Sequence, residues 1–208
     1  MNRMSVSLDK HKLRAIVLAG GKSSRLGRDK TRVRINGLTM VQNTVALARE
    51  FCSSTYVVGQ RQDREKGILW MLDDIPGIGP MGGIITALQN LGGPCLVLAC
   101  DLPCLKKSII SRLIEHRNRK GRDLCMTAYV QQRTGHIEAL VSVYEQASLD
   151  LLLASYRQGC YKLSRAIPAE LRLHIPYGPD EEQYFFNVNY PEDLKKMSLQ
   201  PARATGTE

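Results

Sequence analysis

A chain of 208 residues is long enough to bury a sizeable core as one domain, without disulfide or metal staples. Apolar residues at 43% and charged residues at 24% exclude a disordered, fibrous or collagenous protein. The net charge of +9 is uneven: residues 1–34 carry ten basic and two acidic side chains, residues 106–123 carry seven and two, and residues 180–193 hold five acids with no Lys or Arg. A basic N-terminal segment suits a phosphate-rich ligand, nucleotide or nucleic acid, or is simply a solvated surface.

In chain order, the first fourteen residues are polar and basic, with no apolar stretch of signal-peptide length. Ala15–Leu18, Tyr56–Val58, Ile68–Leu72 and Cys95–Ala99 read as short buried strands, the style of a parallel sheet covered on both faces. Between them Val41, Val45, Ala48 and Cys52 form one helical stripe, and residues 83–91 and 105–117 repeat the pattern. Strands alternating with helices predict βαβ units and a three-layer αβα, Rossmann-like, mostly parallel sheet. After residue 122 the pattern changes to alternation, at 124–130, 137–143 and 171–175, which predicts half-exposed strands in a mixed or antiparallel portion toward the C-terminus. A helix is expected near 145–156, and Pro191-Glu192-Asp193 opens a final short one. The expected organisation is a basic extension over 1–13, a single domain over 14–198 and a loose tail over 199–208. No apolar run approaches the roughly 20 residues of a membrane span, so the expected compartment is the cytoplasm.

The six cysteines, at 52, 95, 100, 104, 125 and 160, form no C-x-x-C pair and have no ligand spacing to the four histidines. They read as reduced core residues rather than a zinc or redox site.

Residues 15–30, AIVLAGGKSSRLGRDK, run from a strand into Gly20-Gly21 and a loop with Lys22, Arg25, Arg28 and Lys30. Glycines let backbone N–H groups approach an anion, and the basic side chains answer its charge. The loop is not a Walker A motif, because Ile16 stands where the first Gly is required. Gly77, Gly79 and Gly82 spell G-x-G-x-x-G, with Asp101 beyond them. That spacing fits a dinucleotide fingerprint, but it falls at the third strand, and Pro80 removes a backbone donor inside it. An NAD-binding dehydrogenase is therefore the lesser reading. Asp101, at the end of the fourth apolar run, is a candidate Mg²⁺ ligand or else a helix cap or turn residue. Asp73 and Asp74 close the preceding strand, so three carboxylates are expected to face the basic loop.

Leu18-Ala19-Gly20-Gly21-x-Ser23-x-Arg25-x-Gly27-x-Asp29-Lys30 resembles the signature loop of the molybdenum cofactor guanylyltransferases, within the larger nucleotidyltransferase family. Asp73-x-x-Pro76-Gly77-x-Gly79-Pro80-Met81-x-Gly83 resembles the family's second segment, and Cys100-Asp101-Leu102-Pro103 its metal-binding C-D-x-P. Phe186-Asn187-Val188-Asn189-x-Pro191-Glu192-Asp193-Leu194 is similar to its terminal motif. The resemblance implies that Leu18, Ala19, Gly20 and Gly21 line the nucleotide, with Asp73, Gly79 and Gly83 beside it. It implies further that Arg25 and Lys30 contact the triphosphate and are catalytic with Asp101, that Asp101 binds Mg²⁺, and that Asn187 and Asn189 lie near the pterin.

The implied reaction transfers GMP from GTP to the terminal phosphate of molybdopterin, with release of pyrophosphate. Molybdoenzymes that accept the cofactor, or their chaperones, are the further implied partners; neither a membrane nor a nucleic acid is. Three positions depart from the family pattern: Gly59 where Asn is common, Thr39 for a Pro, and Ile137 for the Pro after the matched His136. The alternatives are a relative using CTP or a sugar phosphate, and a GTP-binding homologue without turnover.

Overall fold

The computed structural model describes residues 13–19, 34–35, 37–59, 67–119, 123–188 and 193. The expected helix opening at Pro191 lies outside the described residues apart from Asp193.

The first half of the chain supplies strand β1 (Arg14–Leu18), a two-stranded ribbon of β2 (Arg34–Ile35) and β3 (Leu38–Thr39), helix α1 (Met40–Arg49), β4 (Ser54–Gly59), β5 (Leu69–Leu72), α2 (Pro80–Leu91) and β6 (Cys95–Ala99). The second half supplies α3 (Lys107–Arg119), β7 (Met126–Gln131), β8 (Ile137–Tyr144), α4 (Ser148–Arg157), the single turn α5 (Leu163–Ala166) and β9 (Arg172–Tyr177), with 3-10 segments at Ala169–Leu171 and Pro179–Phe185. Seven strands form one sheet in the order β5-β4-β1-β6-β8-β7-β9. β1 pairs in parallel with β4 and with β6, and β4 with β5. β8 runs antiparallel to both β6 and β7, whereas β9 is parallel to β7. The mixed portion expected toward the C-terminus is thus one reversed strand.

Strand parity explains the layers. Side chains alternate across a strand, so Ala15 with Leu96 and Leu98 face α1 and α3, while Ile16, Leu18, Cys95 and Val97 face α2, α4 and α5. The first two helices open on local chemistry. Thr39 caps α1 in a reciprocal box, its hydroxyl accepting from the Gln42 N–H (3.1 Å) and the Gln42 side chain from the Thr39 N–H (2.8 Å). Pro80 opens α2 at a position that needs no N–H donor.

Two expectations change. Met126–Tyr129 and Val141–Tyr144 are buried on both faces rather than alternately exposed. Helices cover both sides of this half of the sheet, and the alternating polar positions are small residues, Thr127 and Ser142, that tolerate burial. Conversely, β5 reads as a buried run but is an edge strand, with Leu69 51% and Leu72 64% exposed. An apolar run does not reveal which strand ends the sheet.

All six cysteines are free thiols; Cys52, Cys95, Cys100 and Cys125 are buried, and Cys104 and Cys160 only half-buried. Burial pushes the Cys52 and Cys95 thiols from 9.0 up to about 12. A raised thiol pKa stabilises the fold fully below the unfolded value, and that contribution is lost as pH climbs from about 9 toward 12. Urea midpoints measured between pH 8 and 11 should therefore fall with pH, and a Cys52→Ala/Cys95→Ala double variant should show a shallower fall.

Candidate nucleotide site

The four strands β5-β4-β1-β6 follow the order 3-2-1-4 of a mononucleotide-binding half, counting along the chain. The chain winds outward from β1 to β4 and β5, then α2 carries it back to β6 on the other side of β1. Ligands of open α/β sheets bind at such a reversal, outside the carboxyl ends of the strands. Here the reversal lies between Leu18-Ala19 and Cys100-Asp101. The two ends are tied together, because the Cys100 N–H donates to the Leu18 carbonyl (3.3 Å) and the Ala19 N–H donates to the Val58 carbonyl (2.9 Å). The sheet thus holds the backbone in register up to Ala19, at the rim. Gly20, Gly21, Arg25 and Lys30 lie outside the described residues, as does Asn189.

The second motif is legible atom by atom. Gly77 (φ 92°) and Gly79 (φ 72°) occupy backbone conformations that other residues rarely adopt. Gly82 and Gly83 are required by close approach instead. A Cβ on Gly82 would lie 2.3 Å from the Ile75 carbonyl oxygen and 3.0 Å from Asp73 Oδ1; one on Gly83 would lie 2.8 Å from Leu18 Cδ2 and 3.2 Å from Val58 Cγ1. The G-x-G-x-x-G spacing is accounted for by turn geometry at Gly77 and Gly79 and by the approach of the Ile75 carbonyl to Gly82, while Gly83, one residue beyond it, lets α2 pack onto β1 and β4. The Leu18 side chain, 8% exposed, belongs to that same contact.

Asp73 is half-buried against the first turn of α2, where a carboxylate suits the positive end of the helix. Its Oδ1 accepts from the Ile75 N–H (3.0 Å) and the Thr86 hydroxyl (3.4 Å). Thr86 Oγ1 in turn accepts from the Asp74 N–H (3.0 Å), and the Asn90 amide donates to Asp74 Oδ2 (2.9 Å). Both carboxylates therefore engage α2. Thr86 and Asn90 escaped the sequence reading because a polar residue inside a helical stripe carries no mark of its partner in the loop.

The three carboxylates stand on one rim but on separate strands, and the basic loop they were expected to face lies outside the described residues. Asp73 and Asp74 end β5 and Asp101 follows β6; β4 and β1 intervene, so the strand ends are ~14 Å apart at the usual inter-strand spacing. Among the described residues no group of three His, Cys, Asp or Glu side chains could hold a metal ion. Asp101 does not cap α3 either, since that helix starts six residues later and its first carbonyl acceptor is Lys106. Asp101 sits half-buried in the turn after β6, and its carbonyl accepts from the Val188 N–H (2.9 Å). That bond brings the third and fourth motifs together: Val188 is fully buried, and the neighbouring Asn187 is exposed at the rim.

The model of the MobA-like NTP transferase domain matches residues 15–173. The chain belongs to that family. It is 32% identical over 190 residues to a probable molybdenum cofactor guanylyltransferase of Thermococcus gammatolerans, an alignment covering 87% of this chain and 96% of the relative. A protein of the same name from Pyrococcus horikoshii is 33% identical over 193 residues, 88% and 97% of the two chains. The crystal structure of molybdopterin-guanine dinucleotide biosynthesis protein A from Archaeoglobus fulgidus superposes with a TM-score of 0.70 at 26% identity, covering 88% of this chain and 95% of that one.

Among the described glycines of this MobA-like domain, Gly82 has the closest neighbour. Gly82→Ala should cost about 1–3 kcal/mol in chemical denaturation, the range for forcing extra volume into a packed site. A loss below a few tenths of a kcal/mol would mean that the Ile75 carbonyl moves freely.

Proposed function

We propose that this MobA-like protein transfers the guanylyl group of GTP to the terminal phosphate of molybdopterin, releasing pyrophosphate. The observation that carries the reading is the rim at the β1–β6 reversal, where the nucleotide-loop strand, Asp101 and the Asn187–Val188 segment meet through backbone hydrogen bonds. The names of the Thermococcus and Pyrococcus relatives support the same substrates.

In the reaction an oxygen of the acceptor phosphate forms a bond to the α-phosphorus of GTP. The bond from that phosphorus to the bridging oxygen breaks, and pyrophosphate leaves with the electron pair. A phosphate monoester is already largely ionised at neutral pH, so no side chain need act as general base. The protein's work is in-line positioning and neutralisation of charge. Lys30 and Arg25, with the N–H groups of Gly20 and Gly21, are the groups we assign to the triphosphate; Leu18, Ala19, Asp73, Gly79 and Gly83 frame the nucleotide. Asn187 and Asn189 are assigned to the pterin side.

Asp101 fits a magnesium ion, a hard cation that takes one or two carboxylates and completes its shell with water and substrate phosphates. Bound there, the ion would offset charge on the phosphates. Molybdoenzymes or their chaperones are the proposed recipients of the product. No helix among the described residues is long and apolar enough to cross a membrane, in keeping with a proposed cytoplasmic site. The unit we propose is one domain over 14–198, with a basic extension before it and a tail over 199–208.

Mg²⁺-GTP should raise the melting temperature more than CTP, ATP or NAD at equal concentration. At about 100 times Kd the gain is ~2.7 kcal/mol, a shift of several degrees at roughly 2–4 °C per kcal/mol. A larger shift with CTP would favour the cytidylyl relatives, a reading for which buried Gly59, at the end of β4 where the family commonly has Asn, is the specific support.

Asp101→Asn should retain near-normal stability yet lose Mg²⁺-dependent pyrophosphate release, and Lys30→Ala should slow turnover about 10²–10³-fold. Full activity in either variant would remove that residue from the phosphate site. GTP binding without pyrophosphate release by the unsubstituted chain would identify a homologue that has lost turnover.

A further inference from the structure

β9 is the outer edge of the sheet, yet the chain leaving it must return past the ends of β7 and β8 to reach Asp101 at the end of β6. Residues 178–188 make that return as a strap. Phe185 seats it, its ring centroid 4.3 Å from that of Tyr177 and 5.1 Å from that of Tyr129. Midway along, Arg112 of α3 reaches out and grips Glu181, its Nη2 lying 2.9 Å and 3.1 Å from the two carboxylate oxygens. The same guanidinium donates through Nε to the Tyr129 hydroxyl (3.0 Å) and stands 4.9 Å from the centre of that ring. Tyr129 is fully buried, and its own hydroxyl donates to the Ile109 carbonyl on α3 (2.7 Å). One planar fork therefore couples helix, sheet and strap, a combination that a lysine cannot reproduce.

We infer that Arg112 and Glu181 are positioning residues that hold the strap and thereby set the acceptor-side Asn187 and the Val188–Asp101 hydrogen bond. Neither residue belongs to the four motifs. The inference rests on the proposed reaction for its kinetic consequence. An ion pair with side chains 35% and 27% exposed contributes little to global stability. Its effect is local, on a segment that begins at the sheet edge and ends beside Asp101. The hydrogen bonds and ion pair of Arg112 run to Tyr129 and Glu181, on the β7 and strap side of the sheet rather than in the β5-β4-β1 half, so the two substrates should respond differently.

The test compares Arg112→Lys and Glu181→Gln with the parent chain in steady-state transfer and in amide hydrogen exchange. The expected result is a rise of about 3–10-fold in KM for molybdopterin with KM for GTP within about twofold, the size of a lost charge-assisted contact. Exchange at the Val188 amide should quicken by a similar factor while the amides of β6 stay protected. Unchanged molybdopterin KM together with unchanged Val188 exchange overturns the inference. So does a parallel rise of both KM values with faster exchange in β6, which would mark simple loss of stability. If the parent chain binds GTP but transfers nothing to molybdopterin, the reaction is wrong and exchange at Val188 decides the strap by itself: faster exchange upholds it and unaltered exchange overturns it.

Discussion

The parallel ladder of β1 with β4 on one side and β6 on the other is the constraint from which the rest follows. It places the chain reversal at one strand boundary and brings Ala19 and Asp101 to the same rim through backbone pairing. Close packing of α2 locks that ladder from one face. Gly83 lets the helix backbone come within van der Waals reach of Leu18 and Val58, so the height of the helix above the sheet is set by a missing methyl group. A displaced α2 would carry the Asp73 loop with it, because Thr86 and Asn90 tie that loop to the helix. Core packing and site geometry are one structure in this half of the molecule.

Much of this was legible in the sequence because the controlling features are local. The runs at 15–18 and 95–99 have the strand period and branched composition, and the stripe from Val41 to Ala48 has the helical one. The βαβ order follows from their alternation. Less legible were features set by distant partners. Ile68–Leu72 looks as apolar as a central strand, and only the absence of a further neighbour makes β5 an edge. Likewise the alternation at 126–130 and 137–143 suggested solvent on one side, when small polar residues had been accepted under helices.

The site shows the same division. Four motifs marked Leu18, Asp73, Asp101 and Asn187, and the structure brings the third and fourth together through Val188. It separates Asp73 from Asp101, since strand order is invisible in a linear list of carboxylates. It also gives Gly79 and Gly83 structural duties that a glycine fingerprint cannot distinguish from ligand contact: one takes a positive φ, the other a crowded helix crossing. Arg112, Tyr129 and Glu181 carried no sequence signal, because their contacts span 17 and 69 positions.

The single reversed strand has a consequence for how such a scaffold diversifies. The last rung between β6 and β8 joins Leu98 to Val141, so Ile137–Ala139 project past the end of β6 as an arm paired with β7 and closed by the turn at 132–136. A parallel strand in that place would need a crossover helix, and any change in its length would disturb a packed layer. A hairpin imposes no such penalty. Its tip, beside the start of the strap, can lengthen, shorten or change composition while the β5-β4-β1 half stays untouched. The fold thereby leaves one surface turn free to vary without disturbing the ladder that sets the rim.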